Sequence, residues 1–137
     1  MARGIEAGFR TGDWESLRAS CAPGMVFEDR QRLVLVSGDR ELMVASARER
    51  AAIGARPEVQ QIETAGDRVA IWRMLWSGGP SGGRFEIEYL VVGEVDASGH
   101  FSRIVLFDPG DAHAAQREAW ARCGELGVER GGVTRPA

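Results

Sequence analysis

Gly12-Asp13-Trp14-Glu15-Ser16-Leu17, then Ala22-Pro23-Gly24, then Met25-Val26-Phe27-Glu28-Asp29: within eighteen residues of about the right length for one helix and one strand, the hydrophobic period changes. Asp13 can cap a helix running to about Ser20, with Trp14, Leu17 and Cys21 as its apolar stripe. Ala22-Pro23-Gly24 reads as a turn. From Met25 to Arg32 the pattern is that of a strand, with Met25, Phe27 and Asp29 on one face and Val26, Glu28 and Arg30 on the other. Upstream, residues 2 to 10 read as a short helix with Ile5 and Phe9 on one side.

Downstream, Leu33 to Val36 is an apolar run that fits either a second short strand or a loop, and Ser37-Gly38 reads as a turn. Asp39 can cap a helix from Arg40 to about Gly54, with Leu42, Ala45 or Ser46, Glu49 and Ile53 in line. After Pro57 the sequence alternates. Strands are expected over Glu58 to Thr64, Val69 to Ser77, Arg84 to Val95 and Phe101 to Asp108. The breaks between them are Gly66-Asp67, Gly78 to Gly83 and Asp96 to Gly99. Asp111, after Pro109-Gly110, can cap a last helix to about Leu126, and residues 127–137 read as a loose tail. The order predicts an α+β domain over residues 1–126, in which a curved antiparallel sheet packs on N-terminal helices and a C-terminal helix follows.

Composition narrows the chemistry. The chain has 137 residues, a formal net charge of -3 and 17 cationic side chains, all of them arginine. Without lysine there is no Schiff-base route, and without asparagine no Cys-His-Asn set. The acidic balance speaks against nucleic acid as a partner. No run of apolar residues is long enough for a membrane span, and no secretory leader is visible, so a cytoplasmic protein is expected. Cys21 and Cys123 lie far apart, and His100 and His113 sit in different elements, so no metal site is expected.

The segment from Gly12 to Leu17, the stretch Asp29-Arg30-Gln31-Arg32-Leu33 and the strand end Phe107-Asp108-Pro109 resemble the SnoaL-like branch of the nuclear transport factor 2 superfamily, over residues 3 to 125. That resemblance implies a cone whose open end holds a mostly apolar pocket. It also implies a cofactor-free cyclase, isomerase or hydrolase, or else a non-catalytic ligand-binding, regulatory or dimerisation domain.

Asp29 is the first candidate for chemistry. A carboxylate beside Met25 and Phe27 can take a proton from carbon next to a carbonyl or activate water; the alternative is an ion pair with Arg30, Arg32 or Arg103. The resemblance to ketosteroid isomerase places the proton-shuttling aspartate in a pair like Glu28-Asp29, but the first-helix tyrosine of that family has no counterpart in Arg3-Gly4-Ile5-Glu6-Ala7. Tyr89 is the one tyrosine, and it reads either as a hydrogen-bond donor in the pocket or as a core aromatic. Arg103, on an apolar face with Phe101, Val105 and Phe107, needs an acidic partner or an anionic ligand. With Asp29 and Asp108 it could imitate the Asp-Arg-Asp set of the epoxide hydrolases in this superfamily. Phe27, Trp72, Met74, Trp76, Phe85, Ile87, Val105 and Phe107 are the expected pocket lining, for a small apolar organic ligand. Leu75, Leu90, Val92, Ile104 and Leu106 are expected to form an apolar outer face, through which a homodimer would form.

Overall fold

A computed structural model of the chain describes residues 8–78 and 85–129. Residues 8–11 are helical. The rest of the helix expected over residues 2 to 10 lies outside the described residues, as do the hairpin loop after Gly78 and the tail after Glu129. The elements that follow are α1 (Trp14–Ala19), β1 (Cys21–Asp29), β2 (Val36–Gly38), α2 (Arg40–Ala52), β3 (Ala55–Ala65), β4 (Val69–Gly78), β5 (Phe85–Val95), β6 (Phe101–Phe107) and α3 (Ala112–Glu129). The final helix thus runs three residues past the expected end at Leu126.

The strands form one six-stranded sheet in the order β2-β1-β6-β5-β4-β3. It is antiparallel from β3 through β6, whereas β1 joins β6 in parallel. Helix starts follow the sequence. Asp13 accepts the Ser16 backbone N–H at 3.1 Å, and Asp39 accepts those of Glu41 and Leu42 at 3.0 and 3.2 Å.

Two expected turns are strand instead. Ala22-Pro23-Gly24 lies inside β1: Cys21 pairs with Phe101 and Val26 with Arg103, and the register shift between them absorbs a proline that has no N–H to give the ladder. Ser37-Gly38 lies in β2, where Glu28 faces Ser37 and Phe27 faces Gly38. The chain reverses one step earlier, through Leu35 at φ 48°, a left-handed conformation uncommon for a leucine.

The sheet carries a core on each side. One contains Leu17, Met25, Phe27, Met43, Trp72 and Trp76, and is closed by α1 and α2. The other contains Val69, Ile71, Leu90, Val92, Val105 and Phe107, and is closed by Ala115, Ala119 and Leu126 of α3. In β4 the expected alternation holds, with Ala70, Trp72, Met74 and Trp76 all on the first side. In β6 it does not. A register shift at Glu94/Val95 places Phe101 on the first side together with Ile104 and Leu106, and leaves Val105 and Phe107 on the second.

That parity change corrects two expectations. Val105 and Phe107 do not face the cavity side. The expected outer face also dissolves: Ile104 and Leu106 point inward, while Leu90 and Val92 are covered by α3. The buried stripe of α2 is Met43, Val44 and Ala47; of the expected line of Leu42, Ala45 or Ser46, Glu49 and Ile53, Leu42 packs on the core and Ser46 lines the cavity, while Ala45, Glu49 and Ile53 are exposed. Among the described residues, no helix is long and apolar enough to cross a membrane.

Candidate functional site

On the α1/α2 side of the sheet, the first core leaves a cavity of about 30 Å³. Strands β1, β4, β5 and β6 supply Phe27, Trp72, Met74, Tyr89, Ile104 and Leu106 to its wall; α2 supplies Met43, Ser46, Ala47 and Arg50. Such a volume holds a water or two. Substrate pockets usually run to several hundred Å³, so an organic ligand needs side chains to move. Met43 and Met74 are the adaptable ones, since an unbranched thioether repacks easily.

Tyr89 is buried and its hydroxyl accepts the Trp76 indole N–H at 2.9 Å. Burial raises the Tyr89 pKa and the Asp29 charge adds to this, while the Arg50 charge and the Trp76 bond pull the other way. The phenol therefore stays protonated at neutral pH, with its own O–H available as a donor. Trp76 is fully buried and stacks at a tilt on Phe9, 5.2 Å between centroids. The Arg50 guanidinium carbon sits 5.8 Å from the Trp76 ring centroid and 5.3 Å from that of Tyr89, within cation–π range of both.

Asp29 ends β1 on the same face as Met25 and Phe27 and is 5% exposed, one of two buried acidic residues among those described. Its Oδ1 accepts the Gln31 backbone N–H at 3.0 Å and Gln31 Nε2 at 3.1 Å; Oδ2 receives only a 3.2 Å contact from the same Nε2. Oδ2 is thus the freer oxygen. None of the arginines expected as alternative partners pairs with Asp29. Across the sheet it faces Leu106, a cavity residue, on β6 and Val36 on β2; Asp29 is not itself among the residues that line the cavity.

Arg103 is elsewhere. Its Nη2 donates to Glu28 at 2.8 Å and its Nε lies 3.6 Å from Glu118 of α3. Arg30 closes the ring by bonding Glu28 at 2.9 Å and Glu118 at 2.8 Å. This alternating set of four charges ties α3 to β1 and β6 on the second side of the sheet. Arg103 therefore does not join Asp29, and Asp108 does not complete a set with them: it accepts the Arg32 backbone N–H at 3.0 Å. Phe85 and Ile87 pack against the first core without reaching the cavity wall. Cys21 is a core thiol whose pKa burial pushes up.

The sequence reading missed Arg50. The residues Met43, Ala47 and Arg50 recur at i, i+4, i+7, which is a helical face. Its cation disguised it as solvent-exposed.

No family model and no curated protein matches the chain. Solved structures do. A loop-truncation variant of IdmH is 24% identical, with TM-score 0.63 over 83% of this chain and 94% of that one. The Δ5-3-ketosteroid isomerase of Mycobacterium sp. is 17% identical, with TM-score 0.61 over 81% and 92%. The chain has the cone fold of these proteins. The epoxide hydrolase/cyclase-like enzyme SalBIII shares that cone fold at 11% identity, TM-score 0.65, over 77% and 85%. At these identities the likeness is one of fold, and chemistry must be argued from the cone's own residues.

Proposed function

We propose that the cone cavity binds a small, mostly apolar organic molecule bearing a carbonyl, and that Asp29 acts on it as a general base without a cofactor, in an isomerase, cyclase or hydrolase type of reaction. The observation that carries this is the buried Asp29 carboxylate, with Oδ2 weakly engaged and its charge felt at Tyr89 on the cavity wall. In this reading Tyr89 O–H donates to the carbonyl oxygen while Asp29 Oδ2 removes a proton from the adjacent carbon. The Trp76 bond makes the Tyr89 proton a better donor, because hydrogen bonds in a chain polarise one another. Tyr89 would thus do from a strand what ketosteroid isomerase does from its first helix. Arg103 would serve by holding α3 in place.

The test is exchange of α-protons of cyclohexanone for deuterium in D2O, followed by NMR. Asp29→Asn is expected to keep the fold and lose the exchange above solvent background. Equal rates in both proteins, or no exchange in either, overturn the catalytic reading.

The small cavity favours a second reading, a non-catalytic ligand-binding domain. A purified protein that retains an apolar ligand unchanged, with Asp29→Asn binding it equally well, would support that one. A homodimer remains part of either proposal, but through a surface other than the α3-covered face; an elution volume of one chain would exclude it.

A further inference from the structure

One donor on the cavity wall has no acceptor among the described residues. Trp72 Nε1 is buried and meets no acceptor among the described residues, although Trp72 is only 1% exposed and lines the cavity. Buried polar atoms are nearly always satisfied, so an orphan on a ring that lines a cavity points to an acceptor that enters it. A second group on the same wall is similarly incomplete. Arg50 rests its guanidinium on the faces of Trp76 and Tyr89, and no described carboxylate pairs with it. Asp29, the buried carboxylate of this side, bonds Gln31 and not Arg50.

The two groups stand at different depths. Trp72 and Trp76 share a face of β4 four residues apart, roughly 13 Å along the strand. Trp72 packs at the end bounded by Gly93 and Phe101, whereas Arg50 lies over Trp76 and is half-buried. The cavity wall therefore carries a neutral N–H on the buried Trp72 ring and a cation on half-buried Arg50, with Met43 and Met74 also on that wall.

We propose that the ligand is an oxo or hydroxy carboxylic acid: its carboxylate on Arg50, its apolar body against Met43 and Met74, and its carbonyl or hydroxyl oxygen accepting from Trp72 Nε1. Arginine suits the first task because its planar fork meets both carboxylate oxygens, and its stacked position fixes the fork in advance. This rests on the ligand-binding pocket proposed above, not on the catalytic placement of a carbonyl at Tyr89, and adds the ligand's chemical class.

Three probes separate the parts: 5-oxohexanoate, its neutral amide 5-oxohexanamide, and hexanoate, which lacks the ketone. Affinities are read by isothermal titration, and the Trp72 indole resonance by ¹H–¹⁵N NMR. The acid is expected to bind about tenfold or more tightly than the amide, and Arg50→Gln to erase that difference. The Trp72 indole signal is expected to move with 5-oxohexanoate and not with hexanoate, and Trp72→Phe to bring the two acids to equal affinity. Should Trp72→Phe fail to fold, the indole shift in the unaltered protein decides. Equal affinity for acid and amide overturns the carboxylate class and leaves the pocket standing. An unmoved Trp72 signal overturns the role of that N–H, the inner acceptor then being a trapped water. Failure of all three probes to bind overturns this inference and the pocket together.

Discussion

Trp76 on β4 and Tyr89 on β5 are joined side chain to side chain, indole N–H to phenol oxygen, at 2.9 Å inside the core. They are not direct cross-strand partners: Trp76 faces Ile87 and Tyr89 faces Met74. The bond is a diagonal one, within reach only because both side chains are long. It fixes the Tyr89 hydroxyl at the wall of the cavity.

That bond has an asymmetric energetic signature. Tyr89→Phe strands a buried N–H and is expected to destabilise the protein by about 1–3 kcal/mol. Adding Trp76→Phe removes the stranded donor, so the double variant is expected to cost less than the two single losses added together. Urea denaturation followed by circular dichroism measures the coupling; strict additivity would mean the bond contributes nothing.

Gly93 is where β5 packs closest on Trp72. A Cβ built there lies 2.4 Å from Trp72 Cη2 and 2.5 Å from Cζ3, far inside contact distance. Gly93→Ala is expected to cost about 1–3 kcal/mol by overpacking. Combining it with Trp72→Leu is expected to return part of that loss, read as a midpoint in urea higher than additivity allows.

Acid should loosen α3. Glu94 of β5 receives Arg122 Nε at 2.6 Å and Ser102 Oγ at 2.7 Å. Burial alone would raise its pKa, but these bonds outweigh burial and hold it below the ordinary 4.5. A lowered folded-state value means the stabilisation is complete above about pH 4.5 and is lost as pH falls through that lower value. Thermal melts from pH 7 to pH 3 are expected to fall more steeply for the unaltered protein than for Glu94→Gln, which has no such proton to take up.

The ring of Glu28, Arg30, Arg103 and Glu118 gives a further expectation. Arg103→Met leaves Glu28 and Glu118 each with Arg30 alone and is expected to cost about 1–3 kcal/mol, since the group is three-quarters buried. Deuterium exchange across residues 112–129 is expected to rise, with the Tyr89 and Trp72 environments unchanged by NMR. Altered cavity signals would place Arg103 in the site after all.

Where the chain obeys a simple period, the sequence shows the fold directly. β4 has no bulge, so Ala70, Trp72, Met74 and Trp76 fall on one side as their spacing says. β6 looks equally regular in sequence, yet the pairs Glu94–Arg103 and Val95–Phe101 leave Ser102 as an extra residue that reverses the alternation after Phe101, and a serine in a strand leaves no local mark of a bulge. For that reason strict alternation from Phe101 puts Arg103, Val105 and Phe107 on the wrong side. Arg50 escaped for a different reason: α2 mixes alanine, arginine and glutamate around its whole circumference, so its buried stripe barely stands out. Nor does any local pattern say which face of the sheet a terminal helix will cover.

The covering of both faces of the sheet has a consequence in time rather than in energy. From Tyr89 to Glu94 every residue of β5 is buried, with neighbouring strands on both edges and a core above and below. Its amide protons can meet solvent only when the whole domain opens. β5 is therefore the clock of the molecule: its slowest-exchanging protons report global unfolding, and a ligand that enters the cavity will slow that clock by as much as it binds, whatever the ligand is.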